Sequence, residues 1–217
     1  MQPKPLSLHH IIQAPKGPLE KAPCLIMLHG YGSNEEDLFS FASELPEELL
    51  IISARAPFDL MPYGHAWYTI HFDATDGKWS DNEQAIQSRE LIAQFIDEVV
   101  AAYPVQKDAI TLLGFSQGTI LSYAVALSYP EKVKNVIALS GYVNQDILKE
   151  TKQSHDHLGI YASHGTLDQV IPVDWARKAP AILKAMHIDA VYEEFPVGHG
   201  VAPQNFYSFK KWLETKL

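Results

Sequence analysis

A single α/β domain with a mostly parallel central sheet is the fold class that the sequence predicts. Three observations carry it. Short, nearly continuous apolar runs recur along the chain, segments of helical period fall between them, and no linker-like spacer or repeat interrupts the 217 residues. Continuous apolar character marks strands covered on both faces, as in a parallel sheet sandwiched by helices. Alternation of strand and helix is the signature of that architecture. A chain of this length buries a substantial core, so one domain is expected over 1–217.

The elements follow in order. The stretch 6–13 is expected to form an antiparallel edge. The runs "CLIMLH" (24–29) and "LLIISA" (49–54) are strands by length and composition. Further strands are expected in "AITLLGF" from Ala109, "VKNVIALSG" from Val133, "LGIYASHG" from Leu158 and "IDAVYEEF" from Ile188. Between them, Ser33 with Glu36 and Ser80 with Glu83 have capping-box spacing, where each side chain can satisfy the other's free backbone donor. After Ser80, apolar residues recur at Ile92, Phe95, Ile96, Val99, Val100 and Tyr103, one face of a helix. A helical segment from Gln117 to Tyr129 stops before Pro130. "VDWARKAPAILKAMH" is a second, with a kink or break expected at Pro180, and "PQNFYSFKKWLE" is the last.

Composition excludes several functions. A net charge of -9 opposes nucleic-acid binding, which needs clustered Lys and Arg, and opposes attachment to an anionic membrane. No apolar run approaches membrane-spanning length, and "MQPKPLSLHHIIQ" lacks the features of a signal peptide. A cytoplasmic protein without stable membrane insertion is expected. Cys24, the single cysteine, lies in an apolar run and reads as a core residue. His155 and His157 have no further ligand at useful spacing, and no phosphate-binding or dinucleotide glycine pattern occurs. Neither a metal nor an organic cofactor is expected.

Open sheets of this kind bind ligands beyond the carboxyl ends of their strands. At one such end, "LLGFSQGTIL" (112–121) puts Ser116 between Gly114 and Gly118, where a strand gives way to a helix. That is the context of a nucleophile elbow, a tight strained turn that the glycines make room for. The helix start directs its partial positive charge and free amides at the serine. A serine needs a base, and the base needs a group to orient it. Asp168 in "HGTLDQVIP" and His199 in "PVGHGVAP" follow in loops beyond two later strands. Asp146, Asp156, Asp174 and Asp189 compete, but none sits as clearly just after a strand. The glycine-bearing turn "HGYGSNEED" can aim the Tyr31 amide at the site, making a second oxyanion donor beside the amide of Gln117. His29 in that turn reads as packing beneath the loop or holding its shape, because His199 supplies the base.

"LHGYGSNEEDL", "GFSQG", "HGTLDQVIPV" and "GHG" before a helix resemble the phospholipase/carboxylesterase family of α/β-hydrolases, over nearly the whole chain. The resemblance implies a Ser116 nucleophile, an Asp168 acid, a His199 base, and oxyanion donors on the amides of Tyr31 and Gln117. It also implies an α/β-hydrolase fold with helices on both faces of the sheet. "AWYTI" (66–70) is similar to the family's aromatic stretch near the acyl pocket, making Trp67 and Tyr68 candidate pocket residues, with a core role for both as the alternative. Two positions depart from the family. Ser33 stands where thioesterase-like members usually have Asp, which weakens the transfer of acyl-protein thioesterase activity. Thr119 stands where Gly or Ala is commoner.

The expectation is a serine carboxylesterase acting on a small-molecule or lipid-like ester through an acyl-enzyme. The short interval between Ser116 and Asp168 leaves little room for a large lid domain, so an accessible cleft for short to medium acyl chains is expected. Residues 58–79 are its expected wall. A thioesterase or lysophospholipase on the same site is the nearest rival, and an acyltransferase shares its chemistry. A non-catalytic binding protein of the same fold is the rival of a different class. The family's tendency toward dimers points to a homodimer.

Overall fold

The computed structural model describes residues 1–17, 21–73 and 77–217, with 72, 73 and 77–79 through the backbone alone. Along the chain, β1 (His10–Gln13), β2 (Ala22–Leu28) and β3 (Leu50–Ala54) come first, with the short helix α1 (Glu36–Phe39) before β3. Two hairpins follow, β4 (Phe58–Asp59) with β5 (His65–Ala66) and β6 (Ile70–Asp73) with β7 (Gly77–Ser80). Helix α2 (Asn82–Ala102), β8 (Val105–Phe115), α3 (Gln117–Ser128) and β9 (Asn135–Leu139) lead to β10 (Gly159–Gly165). Helices α4 (Val173–Ala176) and α5 (Ala179–Ala185), then β11 (Ala190–Phe195) and α6 (Pro203–Glu214), close the chain.

Seven strands form the central sheet in the order β1-β3-β2-β8-β9-β10-β11. Only β1 is antiparallel, pairing with β3 from His10↔Ala54 to Gln13↔Ile51, as expected for 6–13 though over fewer residues. The other pairs are parallel. Successive side chains of each strand divide between two apolar layers. Ile26 and Leu28 of β2 join a core with Phe95 and Val99 of α2 and with Leu121 and Val125 of α3. Leu25 and Met27 join a second core with Phe206, Phe209 and Leu213 of α6. Every residue of α3 is buried, which is why that helix carries no polar stripe.

The chain leaves β2 for β3 on one side of it, then returns to lay β8 on the other. The loops that follow β2 and β8 therefore emerge side by side, at the switch point where open α/β sheets bind their ligands. This brings the Tyr31 turn beside Ser116.

Helix boundaries differ from expectation in small ways. Asp81, not Ser80, caps α2, accepting the Gln84 amide at 3.0 Å, because Ser80 is still paired in β7. At α1, Ser33 Oγ donates to the Asp37 carboxylate instead of capping the helix. The segment around Pro180 breaks into α4 and α5, with the proline in the first turn of α5, where its missing N–H leaves no helical bond unmade. No helix among the described residues is long and apolar enough to cross a membrane.

Candidate active site

Ser116 joins β8 to α3 with φ +55°, a left-handed conformation that costs a side-chain-bearing residue energy. Close packing enforces it. A Cβ on Gly118 would lie 1.8 Å from the Leu28 carbonyl oxygen, so only glycine lets α3 start this near β2. The Ser116 amide donates to Leu139 O at 3.0 Å, tying the turn to β9. Thr119 adds a second tie: its hydroxyl lies 2.7 Å from Gly114 O and 2.6 Å from Leu139 O.

Asp168 and His199 come from the loops after β10 and β11, which are themselves paired. Backbone bonds continue that pairing past the strand ends, from Thr166 to Phe195 O and from Leu167 to Val197 O. His199 Nδ1 lies 2.7 Å from Asp168 Oδ2, and its Nε2 lies 3.0 Å from Ser116 Oγ. The carboxylate accepts from Nδ1–H, which leaves Nε2 free to accept the serine proton. Asp168 Oδ1 accepts two further bonds, from the amides of Val170 at 2.8 Å and Ile171 at 3.0 Å. Burial alone would raise the carboxyl's pKa, but hydrogen bonds from His199, Ile171 and Val170 outweigh it and hold the group below its ordinary value. The structure thus brings Ser116, His199 and Asp168 into one relay, with Phe115 against the imidazole at 4.9 Å between ring centroids.

The Gln117 amide opens α3 and has no helical acceptor, and neither it nor the Tyr31 amide donates to a protein group among the described residues. Both residues line the same cleft as Ser116. His29 supports the Tyr31 turn from below. It is fully buried, its Nδ1 donates to Gly30 O at 2.7 Å, and its Nε2 accepts the Ala56 amide at 3.0 Å. Burial lowers its pKa, against the smaller opposing pull of the Gly30 carbonyl. This ring shapes the loop and moves no proton in the relay. The β4–β5 hairpin braces the turn from outside, with Gly32 donating to His65 O and His65 to Ser33 O.

The cleft above Ser116 holds about 770 Å³. Tyr68 and Ile70 form one wall; Tyr142, Ile171 and Trp175 form part of the other, with Tyr142 and Trp175 packed edge to face at 5.1 Å. Of the wall expected from 58–79, Tyr68 and Ile70 line the cleft, while 74–76 and the side chains of 72, 73 and 77–79 lie outside the described residues. Trp67 is a correction. It is fully buried outside the cleft lining, donating Nε1–H to His29 O at 2.9 Å, so it props the Tyr31 turn from within the core. Its neighbour Tyr68 does reach the cleft, from the bend that joins β5 to β6.

The side chain of Gln117 is a functional feature that the motif does not announce. Its Oε1 accepts the Trp67 amide at 3.0 Å and its Nε2 donates to Tyr68 O at 2.8 Å, which pins the cleft wall to the elbow. His155 and His157 bond singly to Leu127 O and Pro130 O, and no metal-binding group of side chains occurs among the described residues.

A family model described as phospholipase/carboxylesterase matches residues 8–217. A probable carboxylesterase of Oryza sativa subsp. japonica is 25% identical over 89% of this chain and 77% of its own. Acyl-protein thioesterase 1 of Cryptococcus neoformans var. neoformans is 26% identical over 98% of this chain and 99% of its own. Among solved structures, a Bacillus cereus carboxylesterase superposes with a TM-score of 0.83 at 19% identity, covering 97% of this chain and 95% of that one.

Proposed function

The chain belongs to the phospholipase/carboxylesterase family, and from that premise we propose that Ser116, His199 and Asp168 carry out carboxylic-ester hydrolysis. The observation that carries this reading is the continuous relay from Ser116 Oγ through His199 to Asp168 at the floor of an open cleft. His199 Nε2 takes the Ser116 proton as Oγ attacks the ester carbonyl carbon, and Asp168 balances the charge of the imidazolium. The oxyanion of the tetrahedral intermediate is held by the amides of Tyr31 and Gln117. Collapse breaks the carbon–oxygen bond of the leaving alcohol, which takes the proton from His199. Water, deprotonated by His199, then attacks the acyl-serine, and Ser116 regains its proton as the acid leaves.

The cleft's mixed lining, apolar at Ile70 and Ile171 and polar at Ser80 and Asn82, supports short to medium acyl chains. A thioesterase on the same site is the second reading, favoured by the likeness to the Cryptococcus thioesterase. The test has two arms. A fluorophosphonate probe should label Ser116 in folded wild type and leave Ser116→Ala unlabelled and inactive, with the fold nearly unchanged; turnover by that variant overturns the assignment. A p-nitrophenyl ester series set against a matched thioester then ranks the two substrates by kcat/KM.

A further inference from the structure

His164 lies in β10, four residues before Asp168, with a fully buried side chain. Its Nε2 is 2.9 Å from the Ile171 carbonyl oxygen and 3.3 Å from Asp168 Oδ2. A carbonyl can only accept, so Nε2 carries a proton. Nδ1 has no partner among the described residues. An unpartnered buried polar atom is a cost that folded proteins rarely carry without a reason. Here the ring satisfies its Nε2 side at the expense of Nδ1, and the Nε2 side faces the relay.

Those contacts bear on both carboxylate oxygens. Ile171 is held at its two ends, its carbonyl by His164 and its amide by Asp168 Oδ1 at 3.0 Å. Oδ2 takes the His199 bond at 2.7 Å with the His164 N–H at its flank. Among the described residues Glu194, the partner of His164 across the β10–β11 register, also lies beside the ring. Arg177, at the end of α4, engages Glu194 through two bonds of 2.8 Å and Asp174 through another, and the Tyr192 hydroxyl donates to the same glutamate. Glu194 is therefore occupied from outside.

We propose that His164 is a positioning residue for the hydrolysis, its Nε2–H closing the 164–171 loop on Ile171 and holding the Asp168 carboxylate on the line to His199. This rests on the reading of Ser116, His199 and Asp168 as the reacting relay. His164 lies outside the cleft lining, so its removal acts on the chemical step and not on substrate binding.

The test uses the full chain with p-nitrophenyl butyrate. Loss of one hydrogen-bond donor beside a charged group should lower kcat of H164L by about 10- to 100-fold, with KM unchanged. A loosened carboxylate supports the imidazolium less well, so the acidic limb of the kcat/KM profile should move to lower pH. The low-field proton signal of the His199–Asp168 bond should weaken with it. H164Q, which keeps an N–H near the Nε2 position, should recover most of kcat and restore the limb. If H164L does not fold, H164N replaces it, because its shorter amide cannot reach the same two oxygens. Wild-type kcat and an unmoved acidic limb in H164L or H164N overturn the inference, as does equal impairment of H164Q and H164L with the limb unmoved. Wild-type labelling by fluorophosphonate is read in parallel: its failure brings down the serine-hydrolase reading itself, whereas labelling with an indifferent His164 brings down only the positioning role.

Discussion

The elbow at Ser116 and the loop carrying Asp168 deliver their side chains to the same imidazole, yet they are held in opposite ways. The elbow is fixed by exclusion. Ser116 stays at φ +55° because Gly118 lets α3 abut the Leu28 carbonyl, with room for no other residue. The acid loop is fixed by attraction, through two amides on Asp168 Oδ1 and a charge-assisted bond on Oδ2. Steric fixation resists small changes and fails as a unit, whereas hydrogen-bonded fixation can lose one contact and keep its shape. Damage to the first should therefore be read in stability, and damage to the second in turnover.

The largest expected effect falls on the attractive side. Asp168→Asn keeps the side chain's shape and one carbonyl acceptor, but its amide cannot serve as a charged partner for the Nδ1–H tautomer of His199. By analogy with the same change in serine proteases, kcat should fall by about 10⁴-fold, roughly 5 kcal/mol of lost transition-state stabilisation. Thermal melting should detect little change. A variant with near-normal kcat would mean that another acid serves His199, and would end the comparison at its first term.

On the excluding side, Gly118→Ala should show the reverse. Its Cβ would meet the Leu28 carbonyl at 1.8 Å, so α3 must retreat from β2. Overpacking of this kind costs about 3 kcal/mol, a fall in Tm of about 6–12 °C for a domain of this size. Activity falls with it, because the Gln117 amide moves with the helix. Unchanged melting would show that the helix start can shift freely, and that the glycine is there for another reason.

This difference also explains what could be read from the sequence. Exclusion leaves its mark in residue types at fixed local spacing, so "GFSQG" between a strand and a helix gives away both the turn and its purpose. Asp168 and His199 are legible for a related reason: the carboxyl ends of parallel strands lie along one edge of a sheet, and both residues follow apolar runs closely. Attraction across the fold leaves no such local mark. The Gln117 side chain reaches residues 67 and 68, some fifty positions earlier, and nothing near either end announces the bond. His164 stands four residues before Asp168 in "HGTLD", but that spacing acquires meaning only once β10 ends and the loop folds back onto Ile171. The cap of α2 was misplaced by a single residue because Ser80 and Asp81 are both good caps, and the β6–β7 pairing decides between them.

Trp67 and Tyr68 give the smallest and most discriminating test, since the sequence offers both as candidates for the cleft with a core role as the alternative. Both lie in the bend between β5 and β6, where the Gln117 side chain holds the Trp67 amide and the Tyr68 carbonyl, and of the two Tyr68 lines the cleft. Trp67→Phe removes the donor to the His29 carbonyl while keeping an aromatic ring in the core. Leaving that buried carbonyl short of a partner should cost about 2 kcal/mol, a Tm lower by about 4–8 °C. Because Trp67 touches the Tyr31 turn and not the cleft, kcat should fall modestly for every ester, and the ratio of kcat/KM between butyrate and octanoate esters should stay constant. Tyr68→Phe is the control, on the wall itself, and should alter that ratio with little loss of stability. A Trp67 variant that changed chain-length preference would return the residue to the cleft wall. It would also mean that the wall and the oxyanion turn are one mechanical unit, joined through His29 and Gln117.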